Sequence, residues 1–311
     1  AHGYDRARLL ELMQQLGFRS MIERLPSVGP DATGGEQLGL FDAVEEPQPT
    51  SPSLGKYGAV TSIDTLRALV QKIEDGGFLA LDTETTGVDA TTASLVGISL
   101  TDRTGEAWYI PVRAQADEPT LPIEAVVDGL GGLLGDDRIV KLGHNLKYDL
   151  KVLARAGLPV RGPLFDTMIA EWVLNPDAPL GLKSQAWTRL GVQMTEIEEL
   201  IGRGKAQITM DAVPLAKVVP YACADVDMTM RLAEILEPEL RDREQYDLFR
   251  DLEMPLLPVL VEMELIGIGL DTTWLGELSK DLSDRLTGLE TSIYQHAGQQ
   301  FNINSTQQLS E

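Results

Sequence analysis

The stretch that most restricts what this chain can become is Phe78-Leu-Ala-Leu-Asp-Thr-Glu-Thr-Thr-Gly87, an apolar run closed by two carboxylates, three threonines and a glycine. Its apolar half reads as a β-strand. Alternation along a strand puts Asp82 and Glu84 on one face with Phe78 and Ala80 behind them, and Leu79 and Leu81 on the other. Two adjacent carboxylates repel unless they share protons or cations, and hard oxygen ligands at the end of a rigid strand suit Mg2+ or Mn2+. Asp-x-Glu alone also fits a solvated strand end. Two further acidic stretches, His144-Asn-Leu-Lys-Tyr-Asp149 and Tyr221-Ala-Cys-Ala-Asp225, tip the reading toward a metal site.

The elements around this strand alternate. Residues 5–25 show leucines at helical spacing with Gly17 as a stop, and residues 26–56 are rich in Pro, Gly, Ser, Thr and acids, the composition of a flexible linker. Tyr57 to Thr61 reads as a strand. A helix carrying Ile63, Leu66, Leu69, Val70 and Ile73 follows, capped by Ser62 or Thr61 and closed at Gly76-Gly77. Leu95–Leu100 and Glu106–Pro111 form a hairpin around the turn Thr101–Gly105. A helix over 123–134, a strand over 138–142 and a helix over 146–156 complete an α/β pattern with a mixed sheet. Beyond Pro163 the sheet is expected to be finished. Segments 165–174, 180–190 and 196–201 read as short helices, followed by the loop Gly202-Arg-Gly-Lys205. A helix over 214–236, bent or broken near Pro220, carries Tyr221 and Asp225. Residues 246–270 and 275–297 read as a helical hairpin of two long amphipathic helices with no partner inside the chain.

Composition sets the outer limits. With 311 residues, 43% hydrophobic and 24% charged, the chain suits one large globular domain or two smaller ones. No apolar run reaches membrane-spanning length and the N-terminal residues lack a signal-peptide pattern, so a cytoplasmic location without membrane attachment is expected. The single cysteine, Cys223, excludes an internal disulfide framework and a cysteine-rich zinc site. A net charge of −22 argues against a protein that holds nucleic acid by a broad positive field. Part of that charge lies in the linker and part in the acidic cluster. Any grip on DNA must be local.

Tyr221 and Asp225 lie one turn apart on a single helix face, an arrangement in which a phenol can orient a water while the carboxylate binds metal. Asp-x-Glu at a strand end, then Asn-x-x-Tyr-Asp, then Tyr-x-x-x-Asp, in that order within an α/β domain, resembles the three exonuclease motifs of the DEDD superfamily, tyrosine subclass. The flanks Asp82-Thr-Glu-Thr, Gly143-His-Asn-Leu-Lys-Tyr-Asp149, Gly202-Arg-Gly-Lys205 and Tyr221-Ala-Cys-Ala-Asp-Val-Asp227 are similar to the proofreading 3′–5′ exonuclease domain of family-A bacterial DNA polymerases. Three further stretches, Glu253–Leu260, Met263–Asp271 and Phe301–Leu309, look like the entry into that family's polymerase thumb. Residues 4–25 look like the end of its 5′-nuclease domain.

The resemblance implies a ribonuclease H-like mixed sheet flanked by helices and followed by a helical hairpin. The implied domains are residues 1–25, the end of a 5′-nuclease; 26–56, a linker; 57–240, the exonuclease; and 241–311, the first thumb helices. Palm and fingers would lie beyond Glu311, so polymerisation is not expected of this chain alone. Carried over residue by residue, Asp82, Glu84 and Asp225 hold one divalent cation, and Asp82 with water-mediated help from Asp149 holds a second. Tyr221 positions the attacking water. Thr83, Val88, Asn145, Ile197, Arg203 and Lys205 are the implied substrate contacts, Val88 and Ile197 as apolar wedges for an unpaired base. The expected substrate is a single-stranded 3′ end of DNA. The expected partners are the remaining polymerase domain and no second copy, the chain being monomeric. Two other readings compete: a related 3′–5′ exoribonuclease, and a non-catalytic scaffold that only positions a polymerase module.

Overall fold

The computed structural model describes residues 8, 9, 12, 13, 55–73 and 77–311. The expected N-terminal helix over 5–25 and linker over 26–56 lie largely outside the described residues.

A six-stranded mixed sheet organises the chain, in the order β1-β4-β3-β2-β5-β6. Its strands are β1 (Lys56–Ala59), β2 (Phe78–Thr85), β3 (Leu95–Thr101), β4 (Glu106–Pro111), β5 (Val140–Gly143) and β6 (Leu164–Asp166). The β2–β3 and β3–β4 pairs are antiparallel, as the turn-rich 101–105 segment predicts. The β1–β4, β2–β5 and β5–β6 pairs are parallel. The sheet is not finished at Pro163. Leu164–Asp166 adds a parallel edge strand to β5, and only then does the chain turn into a helix. Three residues are too few to leave an alternating signature, so the segment reads as the start of that helix.

Each face of the sheet carries its own apolar cluster, as strand alternation requires. Leu79 and Leu81 of β2 enter one cluster, built with α1 (Ile63–Ile73), α2 (Ile123–Leu134) and α3 (Leu146–Arg155). Ala80 enters the other, built with α4 (Thr167–Leu174) and α7 (Leu215–Asp242). Between α4 and α7 lie α5 (Leu182–Leu190) and α6 (Ile197–Ile201). The α1 helix starts where expected: Ser62 Oγ accepts from the Thr65 N–H at 3.2 Å, and Leu66, Leu69 and Ile73 line its buried stripe.

α7 runs unbroken for 28 residues, through Pro220 and past Leu236 to Asp242. Proline removes one helical hydrogen bond. Burial of residues from Val218 through Leu240 along the helix outweighs that loss, since tertiary packing supplies most helical stability. The following segment also departs from expectation. A short turn (Tyr246–Leu248) and a π-helical stretch (Phe249–Glu253) lead into α8 (Met254–Ile266). Phe249 packs on Phe165 at 4.9 Å between ring centroids, and Leu257 and Val261 join the cluster of Leu79 and Leu81. Lys147 and Lys151 of α3 both donate to Glu264, at 2.6 and 2.5 Å. This helix therefore has a partner inside the chain.

The described residues up to Leu265 form one compact unit, and Ile266–Glu311 form a second. In the second, Asp271 caps α9 (Thr272–Ala297) by accepting from the Trp274 N–H at 2.9 Å, and Gly298 ends it at φ 69°. Tyr294 meets Phe301 edge to face before the short α10 (Thr306–Ser310). Among the described residues no helix is long and apolar enough to cross a membrane.

Candidate active site

β2 and β5 are parallel neighbours, so their C-terminal ends open on the same edge of the sheet. The chemistry collects there. β2 delivers Asp82 and Glu84 to the face that α7 covers, opposite Ser99 and Gly97 of β3. A Cβ at Gly97 would stand 2.2 Å from the hydroxyl of Tyr109, so a larger residue there would have to displace that fully buried ring. α7 brings Tyr221 and Asp225, one turn apart, down onto the same place. One oxygen from each of Asp82, Glu84 and Asp225 lies within 4.8 Å of the others.

The electrostatics follow from that crowding. Burial, then the negative charges of Asp149, Glu84 and Asp225, holds Asp82 well above the usual carboxylate range. Burial and Asp225 push Glu84 up to about 8, with Lys183 opposing. Asp225 is raised by burial and restrained by its contact with Lys183. Burial first, and then Asp225, lifts the Tyr221 phenol above its ordinary value, so it stays protonated at neutral pH. A set of hard oxygen donors this close, with ionisation made costly by mutual repulsion, fits divalent cations as its neutralising partner.

Asp149 enters from α3 and is tied down separately. The Thr83 N–H and Oγ1 both donate to Asp149 Oδ1, at 3.0 and 2.6 Å, offsetting in part the burial that raises its pKa to about 7. Thr83 thus spends its polar groups on the carboxylate. The entry to α3 is held by Asp166, whose carboxylate accepts from Asn145 N (3.1 Å), Leu146 N (2.7 Å), Met168 N (2.9 Å) and Ile169 N (3.3 Å). One carboxyl group caps the starts of both α3 and α4 and holds Asn145 in the left-handed region, φ 63°.

A cleft of about 650 Å³ opens over this group, lined by Asp82, Thr83, Glu84, Asn145, Tyr221 and Asp225. Val88, Ile197 and Ile208 present apolar side chains to it and stay exposed. Arg203 and Lys205, expected as phosphate contacts, lie on an exposed loop and do not line the cleft.

Three residues escape the sequence reading. Lys183 of α5 pairs with Asp225 Oδ1 and stands 4.4 Å over the Tyr221 ring, yet it belongs to no spacing pattern. Ile208 is a lone apolar residue in a polar loop. Asp166 did leave a signal, the Asp-Thr pair of a helix N-cap.

With this geometry in place, comparison with known proteins is specific. Residues 57–241 match the 3′-5′ exonuclease family of family-A DNA polymerases. A DNA polymerase I of Chloroflexus aurantiacus is 37% identical over 99% of this chain and 35% of its own length, and that of Pseudomonas aeruginosa 34% over 98% and 33%. The chain therefore spans about a third of the length of these relatives. Among solved structures, the POL domain of Pol1 from M. smegmatis, in complex with DNA primer-template and dNTP, superposes with a TM-score of 0.61 at 21% identity, covering 81% of this chain and 39% of that one. Escherichia coli RNase D, an exoribonuclease, gives 0.54 at 22%, covering 67% and 51%. Brucella melitensis NrnC with bound Mg2+ gives 0.52 at 23%, covering 68% and 94%. The fold is thus a ribonuclease H-like mixed sheet flanked by helices.

Proposed function

The chain belongs to the 3′-5′ exonuclease family of family-A DNA polymerases, its exonuclease domain spanning residues 57–241, and we propose that this domain proofreads, removing nucleotides one at a time from single-stranded 3′ ends of DNA. The observation that carries the reading is the convergence of Asp82, Glu84 and Asp225 within 4.8 Å at the floor of a cleft, with Tyr221 one turn from Asp225.

In this reading Asp82, Glu84 and Asp225 would hold one divalent cation, Mg2+ or Mn2+, and Asp82, helped by Asp149 through water, would hold a second. Cations bound there would lower the pKa of the attacking water and stabilise charge on the leaving 3′ oxygen. The chain's own groups do the positioning. Thr83 aims Asp149. Tyr221, kept as a phenol, orients the water by hydrogen bonding and does not act as a phenolate base. Water adds to phosphorus, the P–O3′ bond breaks, a proton ends on the 3′ oxygen, and a deoxynucleoside 5′-monophosphate leaves. Val88, Ile197 and Ile208 offer apolar surface on which an unpaired base can stack, which favours frayed ends over paired ones. Asn145, in the cleft wall, contacts the substrate backbone.

Residues 1–25 are assigned to the end of a 5′-nuclease domain, 26–56 to a linker, and 241–311 to the start of a polymerase thumb whose palm and fingers are the working partner.

The test is degradation of a 5′-labelled single-stranded DNA, resolved by length, with Mg2+, with chelator, and with Asp82→Ala. A metal-dependent ladder shortening from the 3′ end and absent in the variant is the expected result. An intact oligonucleotide under every metal would favour the scaffold reading. Faster cleavage of the matching RNA would favour an exoribonuclease.

A further inference from the structure

Lys183 lies outside every motif that identifies the site, yet its ammonium makes the closest charged contact to the carboxylates. It reaches from the first turn of α5, pairs with Asp225 Oδ1 and stands 4.4 Å over the ring of Tyr221. Both partners are nearly dry: the Lys183 side chain is 18% exposed and that of Asp225 12%. One cation therefore bridges two residues a helical turn apart, on the helix that completes the acidic cluster.

A monovalent cation at this point has two opposed effects. Before any metal is present it offsets part of the repulsion among Asp82, Glu84 and Asp225, and an ion pair this dry loses little to solvent screening. Once a divalent cation is to bind the same carboxylates, the ammonium becomes a like charge in direct competition for Asp225. Lysine suits that exchange, because its charge is a compact point on a flexible stem that can swing aside, unlike the rigid fork of arginine. The ring of Tyr221 gives the displaced ammonium a second attractive surface.

We propose that Lys183 is the built-in counter-cation of the metal-free site: it holds Asp225 and Tyr221 in register before loading, yields Asp225 to the incoming divalent ion, and thereby weakens metal affinity while keeping the phenol aimed at the cluster. This rests on reading the acidic cluster as the divalent-metal site. Lys183 is accordingly a positioning residue that tunes loading.

The experiment is calorimetric titration of Mn2+ into the chain without nucleic acid, comparing wild type, Lys183→Met, Lys183→Gln and Asp82→Ala, with thermal melts in chelator. Met keeps an unbranched side chain of similar length without the charge and Gln retains a donor toward Asp225, so a folding defect in one leaves the other to decide. The expected result is Mn2+ binding about tenfold tighter in both Lys183 variants, the scale of one charged hydrogen bond, together with a lower melting midpoint in chelator. At saturating Mn2+ the exonuclease kcat should nonetheless fall, because the Tyr221 ring loses the ammonium that stands over it; a merely structural lysine would instead weaken binding and rate together. Equal or weaker Mn2+ binding in the variants, with Asp82→Ala still impaired relative to wild type, overturns the role of Lys183 alone. Absence of Mn2+ binding by wild type overturns the metal site and the proposal with it.

Discussion

Replacing Asp166 with alanine tests whether the site depends on an acid that never reaches the cleft. Its carboxylate accepts four backbone N–H groups at the starts of α3 and α4, and both Asp166 and Leu146 are fully buried. Loss of an N-cap costs ~1 kcal/mol, and here two are lost together. Stranding buried donors adds ~1–3 kcal/mol. The expected destabilisation is roughly 3–5 kcal/mol, which lowers the melting midpoint by about 6–20 °C for a unit of this size. Calorimetric or circular-dichroism melts measure it directly. Asp166→Asn, which keeps one acceptor oxygen, should fall between. Asp89 supplies the control: it also accepts two bonds from Thr91, at 2.9 and 2.7 Å, but in solvent, where water replaces it, so Asp89→Ala should move stability by ~0.5 kcal/mol or less. Because Asn145 and Asp149 ride on the element that Asp166 anchors, kcat should drop as well. A loss below ~1 kcal/mol for Asp166→Ala would show that these N–H groups find other partners and that Asp166 does not anchor α3 and α4.

Two further outcomes follow from the same geometry. Glu84 is lifted from 4.5 to about 8 and Asp149 from 3.8 to about 7, so the folded chain retains protons there that the unfolded chain releases; in chelator, the stability contributed by these two groups is full below about pH 4 and should be lost as pH rises toward 8. Glu84→Gln should flatten that decline and raise the midpoint at pH 8 while abolishing hydrolysis, and a lowered midpoint at pH 8 would contradict it. Thr83→Val removes the hydroxyl that holds Asp149 but keeps shape and backbone donor; steady-state kinetics should show kcat reduced about tenfold, and an unchanged rate would remove Thr83 from the positioning chain.

Much of this was legible in the chain because it is local. The alternation of Phe78–Thr85 assigns Leu79 and Leu81 to one cluster and Ala80 to the other, and the structure places them so. Helical spacing put Tyr221 and Asp225 on one face. Turn chemistry marked the β3–β4 hairpin, and Ser62 marked the start of α1. β6 was missed because a strand of three residues carries no period, and the length of α7 because Pro220 and Pro238 speak locally against a helix that burial sustains.

What sequence spacing determined, then, is which side chains share a strand face or a helix face, since those relations repeat every two or roughly every four residues. Only tertiary packing decided which of those faces meet. Lys183 reaches Asp225 across 42 positions, Thr83 reaches Asp149 across 66, and Asp166 caps a helix that begins 20 residues before it. No periodicity connects such pairs; they become neighbours because parallel strands open on one edge and buried polar groups must find partners there.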